Sequence, residues 1–174
     1  MIKFVLNNES VEFGGNAEMS LLNWLRNEQG ITSVKDGCNG QSACGACLVE
    51  IDGKAKLSCV TKMSSLEGAS VLTLEGIPPK VRDLIAKAFV EKGAVQCGFC
   101  TPGMLLSAKA LLDGNPDPSR EEVKTAISGN LCRCTGYKKI IDAVMLAAAR
   151  INNKDSKEVP EVKDFKRIDA REKV

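Results

Sequence analysis

Residues 37–47 read GCNGQSACGAC, so three cysteines fall within one short glycine-rich loop. A catalytic thiolate needs a single cysteine, usually with a base beside it. Three thiols held this close together indicate an inorganic site with several ligands, and the rest of the chain must supply the fourth. Gly37, Gly40 and Gly45 permit unusual backbone angles, which let amide N–H groups point at a bound group.

The 174-residue chain has eight cysteines in two groups of four, separated by 37 residues without any. The first group is Cys38, Cys44, Cys47 and Cys59, and the second group is Cys97, Cys100, Cys132 and Cys134. In the first group three ligands come from one loop and a distant fourth completes the site, which is the plant-type [2Fe–2S] arrangement. In the second group one residue separates the last two cysteines, which is awkward for a zinc knuckle. The spacing favours iron–sulfur clusters and leaves structural zinc open.

An even number of cysteines also allows a disulfide framework. The chain begins MIKFVLNN, without the basic flank and hydrophobic stretch of a signal peptide, and it is long enough to build its own cores. We therefore expect reduced thiols and a cytoplasmic location.

The composition excludes several function classes. The chain has no histidine, which removes imidazole-based triads, Rieske-type ligation and mixed Cys/His zinc fingers. A formal net charge of +2 and an aromatic content of 4% give no basis for binding nucleic acid or an anionic membrane. No apolar run approaches the length of a membrane span.

The first half of the chain predicts a small mixed sheet with a helix across it. Alternating apolar residues over 2–13 indicate a hairpin, and SLLNWLRNEQG indicates a short helix with Ser20 as its N-cap. Asp52-Gly53 predicts a second hairpin between CLVEI and KLSCV. VLTLEG, residues 71–76, is the last predicted strand.

The second half predicts four short helices, which imply a compact bundle. Pro78-Pro79 marks the border, and Ser119 with Glu122 forms a capping-box pattern before the third of these helices. The cysteine pairs of the second group precede the second and fourth helices. Both pairs therefore lie at helix N-termini, where unpaired N–H groups favour thiolates, and a symmetric pair of helix hairpins would bring the two loops together.

The segments KDGCNGQSACGACLVEIDG, AVQCGFCTPGM and GNLCRCTGY closely resemble the iron–sulfur part of the molybdenum hydroxylases, the xanthine dehydrogenase and aldehyde oxidoreductase family. The likeness covers nearly the whole chain. It implies an α+β architecture: a β-grasp, plant-type ferredoxin domain over residues 1–76, followed by an all-α four-helix domain over residues 77–152. Each domain would carry one [2Fe–2S] cluster, with the eight cysteines as ligands.

The resemblance also implies a role. In relatives, electrons leave a substrate at a molybdopterin-bound molybdenum, pass to the helical-domain cluster, then to the ferredoxin-type cluster, and finally to a flavin or an external acceptor. This chain would be the electron-transfer part of such an oxidoreductase, acting on an aldehyde or an N-heterocycle such as a purine. The molybdopterin cofactor would be held by a large subunit or C-terminal domain, and a FAD-binding subunit or an external acceptor would take the electrons.

Two residues are implied to contact that cofactor. Gln96 matches a glutamine that hydrogen-bonds the pterin in the family, although the residue alone would read as a polar loop side chain facing water. Cys134 resembles a ligand whose neighbourhood touches the pterin. The chain departs from the family in having five residues, 39–43, between its first two cysteines instead of four, and we expect the extra residue to bulge outward.

Residues 153–174 read as a linker or extended arm because their charges are mixed and their apolar residues show no period. Within them FKRIDAREKV resembles the opening of the molybdenum-binding part, so the sequence predicts a continuation into that part. Two other functions stay open at this point: a free-standing ferredoxin-like carrier, and a zinc-stapled interaction module.

Overall fold

A computed structural model of the protein describes residues 1–152. The strands are β1 Ile2–Leu6, β2 Glu9–Phe13, β3 Leu48–Ile51, β4 Lys54–Leu57 and β5 Ser70–Leu72. The helices are α1 Leu21–Asn27, α2 Pro79–Glu91, α3 Thr101–Gly114, α4 Arg120–Ile127 and α5 Lys138–Ile151. Strands followed by helices confirm the predicted α+β class. The predicted arm, residues 153–174, lies outside the described residues.

The five strands form one mixed sheet in the order β2-β1-β5-β3-β4. Both predicted hairpins are present as antiparallel pairs, while β1 and β5 run parallel. The predicted strand KLSCV ends early, at Leu57: the Ser58 N–H still bonds to the Cys47 oxygen in the register of β3 and β4, but residues 58–60 form a turn that the Thr61 hydroxyl closes by donating to the Leu57 oxygen at 2.9 Å. Cys59 therefore lies in a turn and not in a strand.

The last strand, predicted over residues 71–76, is also shorter than the apolar residues there indicate. It ends at Leu72, and residues 74–76 form a 3-10 turn. Asn7 causes this end, because its side-chain oxygen accepts the Thr73 N–H at 2.8 Å and its amide donates to the Thr73 hydroxyl at 2.9 Å. These side-chain bonds replace the ladder bonds that would continue the strand.

A first hydrophobic core lies between the sheet and α1. The apolar side of α1 is buried as predicted, and Trp24 packs edge-to-face against Phe4 and Phe13, with ring centroids 5.3 and 6.0 Å apart. Ser20 caps the helix through a bond from the Asn23 N–H.

A second core lies among the four later helices, and α3 is at its centre. Every residue from 101 to 109 is buried, because α3 packs against helices on one side and against β3 and β4 on the other. The predicted capping box of α4 is present, with Ser119 and Glu122 bonded reciprocally. The two cores share no residue. The domain boundaries at 76/77 and 152/153 remain predictions.

Among residues 1–152, no helix is both long and apolar enough to cross a membrane.

Candidate metal centres

The first cysteine group lies between α1 and β3, with its fourth member in the turn after β4. Residues 39–43 are all exposed, in agreement with an outward bulge of the longer loop. Asn39 and Ser42 adopt left-handed φ angles of 53° and 54°, which brings the chain back toward Cys44. The Asp36 carboxylate accepts N–H bonds at the start of this loop, so it orders the approach to Cys38.

The four thiols of this group influence one another: Cys38 interacts with Cys44, and Cys59 interacts with Cys47 and more weakly with Cys38. The Ala43 N–H, which stabilises the thiolate, lowers the pKa of Cys38. Burial raises the pKa of Cys44. Burial and the neighbouring Cys47 raise the pKa of Cys59 to about 11. Most of these protons must leave when a metal binds, which ties ligation to proton release.

The second group lies where the loops before α3 and α5 meet, as predicted. The Cys134 thiol lies 3.6 Å from the Cys97 sulfur, and Cys100 interacts with Cys132. Burial and then the Cys132 neighbour raise the pKa of Cys100 to about 12. Burial opposes ionisation of Cys132, but hydrogen bonds led by the Thr135 hydroxyl, 3.1 Å away, lower its pKa.

A two-plus-two arrangement of thiols is what a [2Fe–2S] cluster requires, because each of its two irons takes two thiolates. In the described part of the chain, no three Cys, Asp or Glu side chains converge as they would around one metal ion. A cavity of about 260 Å³ lies between the two loops and is lined by Cys44 of the first group and by Cys97, Cys100 and Cys132 of the second. The donor set and its pairing therefore fit a cluster at each group.

Gln96 lies at the outer edge of the second group. Its side-chain amide donates to the Cys134 backbone oxygen at 3.1 Å, and both residues are exposed. Cys97 is also exposed, whereas Cys100 and Cys132 are partly buried. One edge of this group thus opens to the surface. The contact of Gln96 and Cys134 with a pterin remains a prediction.

The structure also shows a contact between the two groups that the sequence did not indicate. The Leu131 N–H donates to the Cys44 oxygen at 2.8 Å, and the Asn130 side chain donates to the Gly45 oxygen at 3.0 Å. Asn130 and Leu131 directly precede Cys132. No local signal predicts these bonds, because their partners are far apart in the sequence.

Two family models match the chain. A "2Fe-2S iron-sulfur cluster binding domain" matches residues 9–90, and a "[2Fe-2S] binding domain" matches residues 73–145. Together with the paired thiols, these matches define an iron–sulfur protein.

Full-length relatives and solved structures are similar to the chain. It is 46% identical to the nicotinate dehydrogenase small FeS subunit of Eubacterium barkeri, over 87% of this chain and 97% of that protein. It is 51% identical to the aldehyde oxidoreductase of Megalodesulfovibrio gigas, over 80% of this chain but 16% of that protein. The structure of quinoline 2-oxidoreductase from Pseudomonas putida 86 superposes with a TM-score of 0.77 at 40% identity, over 88% of this chain and 97% of the matched chain. The aldehyde oxidoreductase structure from Desulfovibrio gigas gives a TM-score of 0.82 at 47% identity, over 89% of this chain and 18% of that one.

This chain belongs to the family of iron–sulfur subunits and domains of the molybdenum hydroxylases. It is the electron-transfer part of an oxidoreductase of that class. Some relatives are separate small subunits, whereas in others the matching region is about a sixth of a longer chain.

Proposed function

We propose that this chain holds two [2Fe–2S] clusters and carries electrons, one at a time, from a molybdenum centre in a partner to a further acceptor. The observation that supports this most directly is the second group, where the loops before α3 and α5 bring Cys97 and Cys134 to 3.6 Å and a backbone hydrogen bond joins this group to the first. When bound, such clusters supply reversible one-electron reduction.

Each iron of the two clusters would be held by two cysteines of this chain. In the first group Cys38 and Cys44 would hold one iron and Cys47 and Cys59 the other. In the second group one iron would be held by Cys97 and Cys134, and the other by Cys100 and Cys132. Loop N–H groups, such as that of Ala43, stabilise thiolate charge and so tune the reduction potential.

The exposed edge of the second group supports an order for the electrons. Gln96 and Cys134 lie on that edge, where a molybdopterin held by the large subunit or C-terminal domain could meet them. Electrons would enter there, reach the first group through the contact at Leu131, and leave to a FAD-binding subunit or an external acceptor.

The substrate class is an aldehyde or an N-heterocycle such as a purine. Names of relatives cover both, since they include an aldehyde oxidoreductase and a nicotinate dehydrogenase. Discrimination between them would belong to the pocket around molybdenum in the partner. We also propose a cytoplasmic location, since a reducing compartment keeps cysteines available as metal ligands.

Electron paramagnetic resonance tests the proposal. Protein purified anaerobically with the partners that accompany it is reduced with dithionite, and spins are counted per chain. Two distinguishable S = 1/2 signals, with a total of about two spins, are expected for two clusters. Cys59→Ser should remove one signal and Cys100→Ser the other.

Two other outcomes would overturn the proposal in different ways. A silent spectrum from protein with stoichiometric zinc would identify a structural zinc module. Two iron signals in a protein that purifies without any molybdenum-containing partner would identify a free-standing carrier.

A further inference from the structure

The contact between the two cysteine groups is a short path through bonds. From the Cys44 sulfur, covalent bonds lead to the Cys44 carbonyl oxygen, which accepts the Leu131 N–H at 2.8 Å. From Leu131, the backbone continues directly into Cys132. A single hydrogen bond therefore separates a ligand of the first group from a ligand of the second group along this path.

The Asn130 side chain holds the loop of the first group next to the segment that precedes Cys132. It is 2% exposed, its amide donates to the Gly45 oxygen at 3.0 Å, and its side-chain oxygen accepts the Ser107 hydroxyl at 2.6 Å. Gly45 has φ +68°, and a Cβ there would lie 2.2 Å from the Gly129 oxygen. The loop at Gly45 and the segment at Gly129 thus lie too close together for a side chain at Gly45, and the Asn130 side chain fixes their relative position.

Tyr137 fixes the same segment from the other side. Its hydroxyl accepts the Cys132 N–H at 2.9 Å and donates to the Asn130 oxygen at 3.2 Å, so it spans both peptide groups that flank Leu131. Its backbone has a positive φ of 66° with ψ −30°, which a bulky residue rarely adopts, and the Lys138 N–H closes a tight turn on the Gly136 oxygen at 2.8 Å. Such a conformation persists when the surroundings impose it.

We propose that Tyr137 and Asn130 are positioning residues that hold residues 130–132 against Cys44 and so maintain the electronic contact between the two groups. The proposal rests on the proposed function, because it needs a cluster at each group. It assigns a role to the Tyr137 hydroxyl that is separate from ligation, since Tyr137 is not a metal ligand.

The test is Tyr137→Phe in the protein purified with its partners, compared with Thr125→Val. The control removes another hydroxyl that donates to a backbone oxygen, that of Glu121, within α4. The primary readout is the low-temperature splitting that arises from magnetic interaction between the two reduced clusters. A second readout is hydrogen–deuterium exchange of the peptide that contains the Leu131 amide.

We expect Tyr137→Phe to keep its iron and about two spins per chain, lose much of the splitting and exchange the Leu131 amide faster. The control should match the wild type in all of these. An unchanged splitting and exchange rate in Tyr137→Phe would overturn the proposal. Selective loss of iron from the second group would also overturn it, because the hydroxyl would then serve ligation instead of the contact.

The wild-type spectrum distinguishes a failure of the proposed function from a failure of this inference. Wild-type protein without two iron signals would remove the basis for the comparison before any variant is made. Ser107→Ala provides an independent check, since it removes the hydrogen bond to the Asn130 side-chain oxygen without touching Tyr137 and should reduce the splitting in the same direction.

Discussion

Lys109 of α3 contacts Glu50 of β3 at 2.8 Å, and this ion pair joins the helical part of the protein to the sheet. The two side chains are only 10% and 13% exposed. Lys109 also binds Asp113 at 2.6 Å. Burial by itself would lower the pKa of Lys109, but the carboxylates of Asp113 and Glu50 together raise it, so the ammonium stays charged at neutral pH.

Removal of one partner should destabilise the interface between sheet and helices. We expect Lys109→Met to lower the free energy of unfolding by about 2 to 3 kcal/mol, since Glu50 is left as a largely buried, unpaired carboxylate. The double variant with Glu50→Gln should recover part of this loss. Lys124→Met, which breaks an exposed pair with Glu121, should cost less than about 1 kcal/mol. Denaturant titrations measure all three, and equal losses at Lys109 and Lys124 would contradict the argument.

Replacement of two glycines of α3 by alanine should change the stability of the protein in opposite directions. A Cβ at Gly103 would lie 2.7 Å from the Gly45 oxygen and 3.0 Å from the Asn130 amide nitrogen, whereas a Cβ at Gly114 meets nothing within 4 Å. Gly103→Ala should destabilise by about 1 to 3 kcal/mol because it overpacks the contact between the cysteine groups. Gly114→Ala should be neutral or stabilising by up to about 1 kcal/mol. Thermal unfolding of the two variants checks the sign, and a stabilised Gly103→Ala would show that the loops can separate at little cost.

The capping box of α4 predicts a pH dependence. The Glu122 carboxylate accepts the Ser119 N–H and hydroxyl, both at 2.7 Å, and the Ser119 backbone bond is the main cause that lowers the pKa of Glu122 below 4.5. Because the folded pKa lies below the unfolded one, this stabilisation is present above about pH 4.5 and is lost as the pH falls through the folded pKa. We expect Glu122→Gln to melt below the wild type at pH 7 and the gap to narrow below about pH 4.5. Glu9→Gln, which removes an exposed carboxylate of β2, should show no such convergence.

Substitution of Gln96 should slow reduction of the clusters by substrate but leave their reduction by dithionite unchanged. Gln96→Leu removes the donor to the Cys134 oxygen but no ligand, so dithionite should still reduce both clusters as in the wild type. Reduction by substrate through molybdenum should become slower, because the proposed contact with the pterin is lost. Gln29→Leu, which changes a glutamine just beyond α1, is the matched control. Stopped-flow absorbance measures both reactions, and identical substrate-driven rates in Gln96→Leu and the wild type would rule out the contact.

Local signals in the sequence predicted most of the fold. Ser119 and Glu122 lie three residues apart, and Asp52 and Gly53 are adjacent, so the capping box and the hairpin turn depend on neighbours in the chain. The pattern for the last strand failed where a side chain from a distant segment intervened. Asn7 ends β5 across a separation of 66 residues, which an apolar pattern at 71–76 cannot reveal.

The order of residues along the chain was enough to identify the two groups of four thiols, the family resemblance and the placement of the second group before two helices. Tertiary structure alone decided which thiols pair and how the groups meet. The bond from Asn130 to Gly45 spans 85 residues, and it exists because α3 packs against both β3 and the other helices. The Tyr137 hydroxyl reaches the Cys132 N–H and the Asn130 oxygen only in the folded chain, because the loop before α5 turns back on residues 130–132. Such contacts depend on the packing of distant segments, and local propensity carries no information about them.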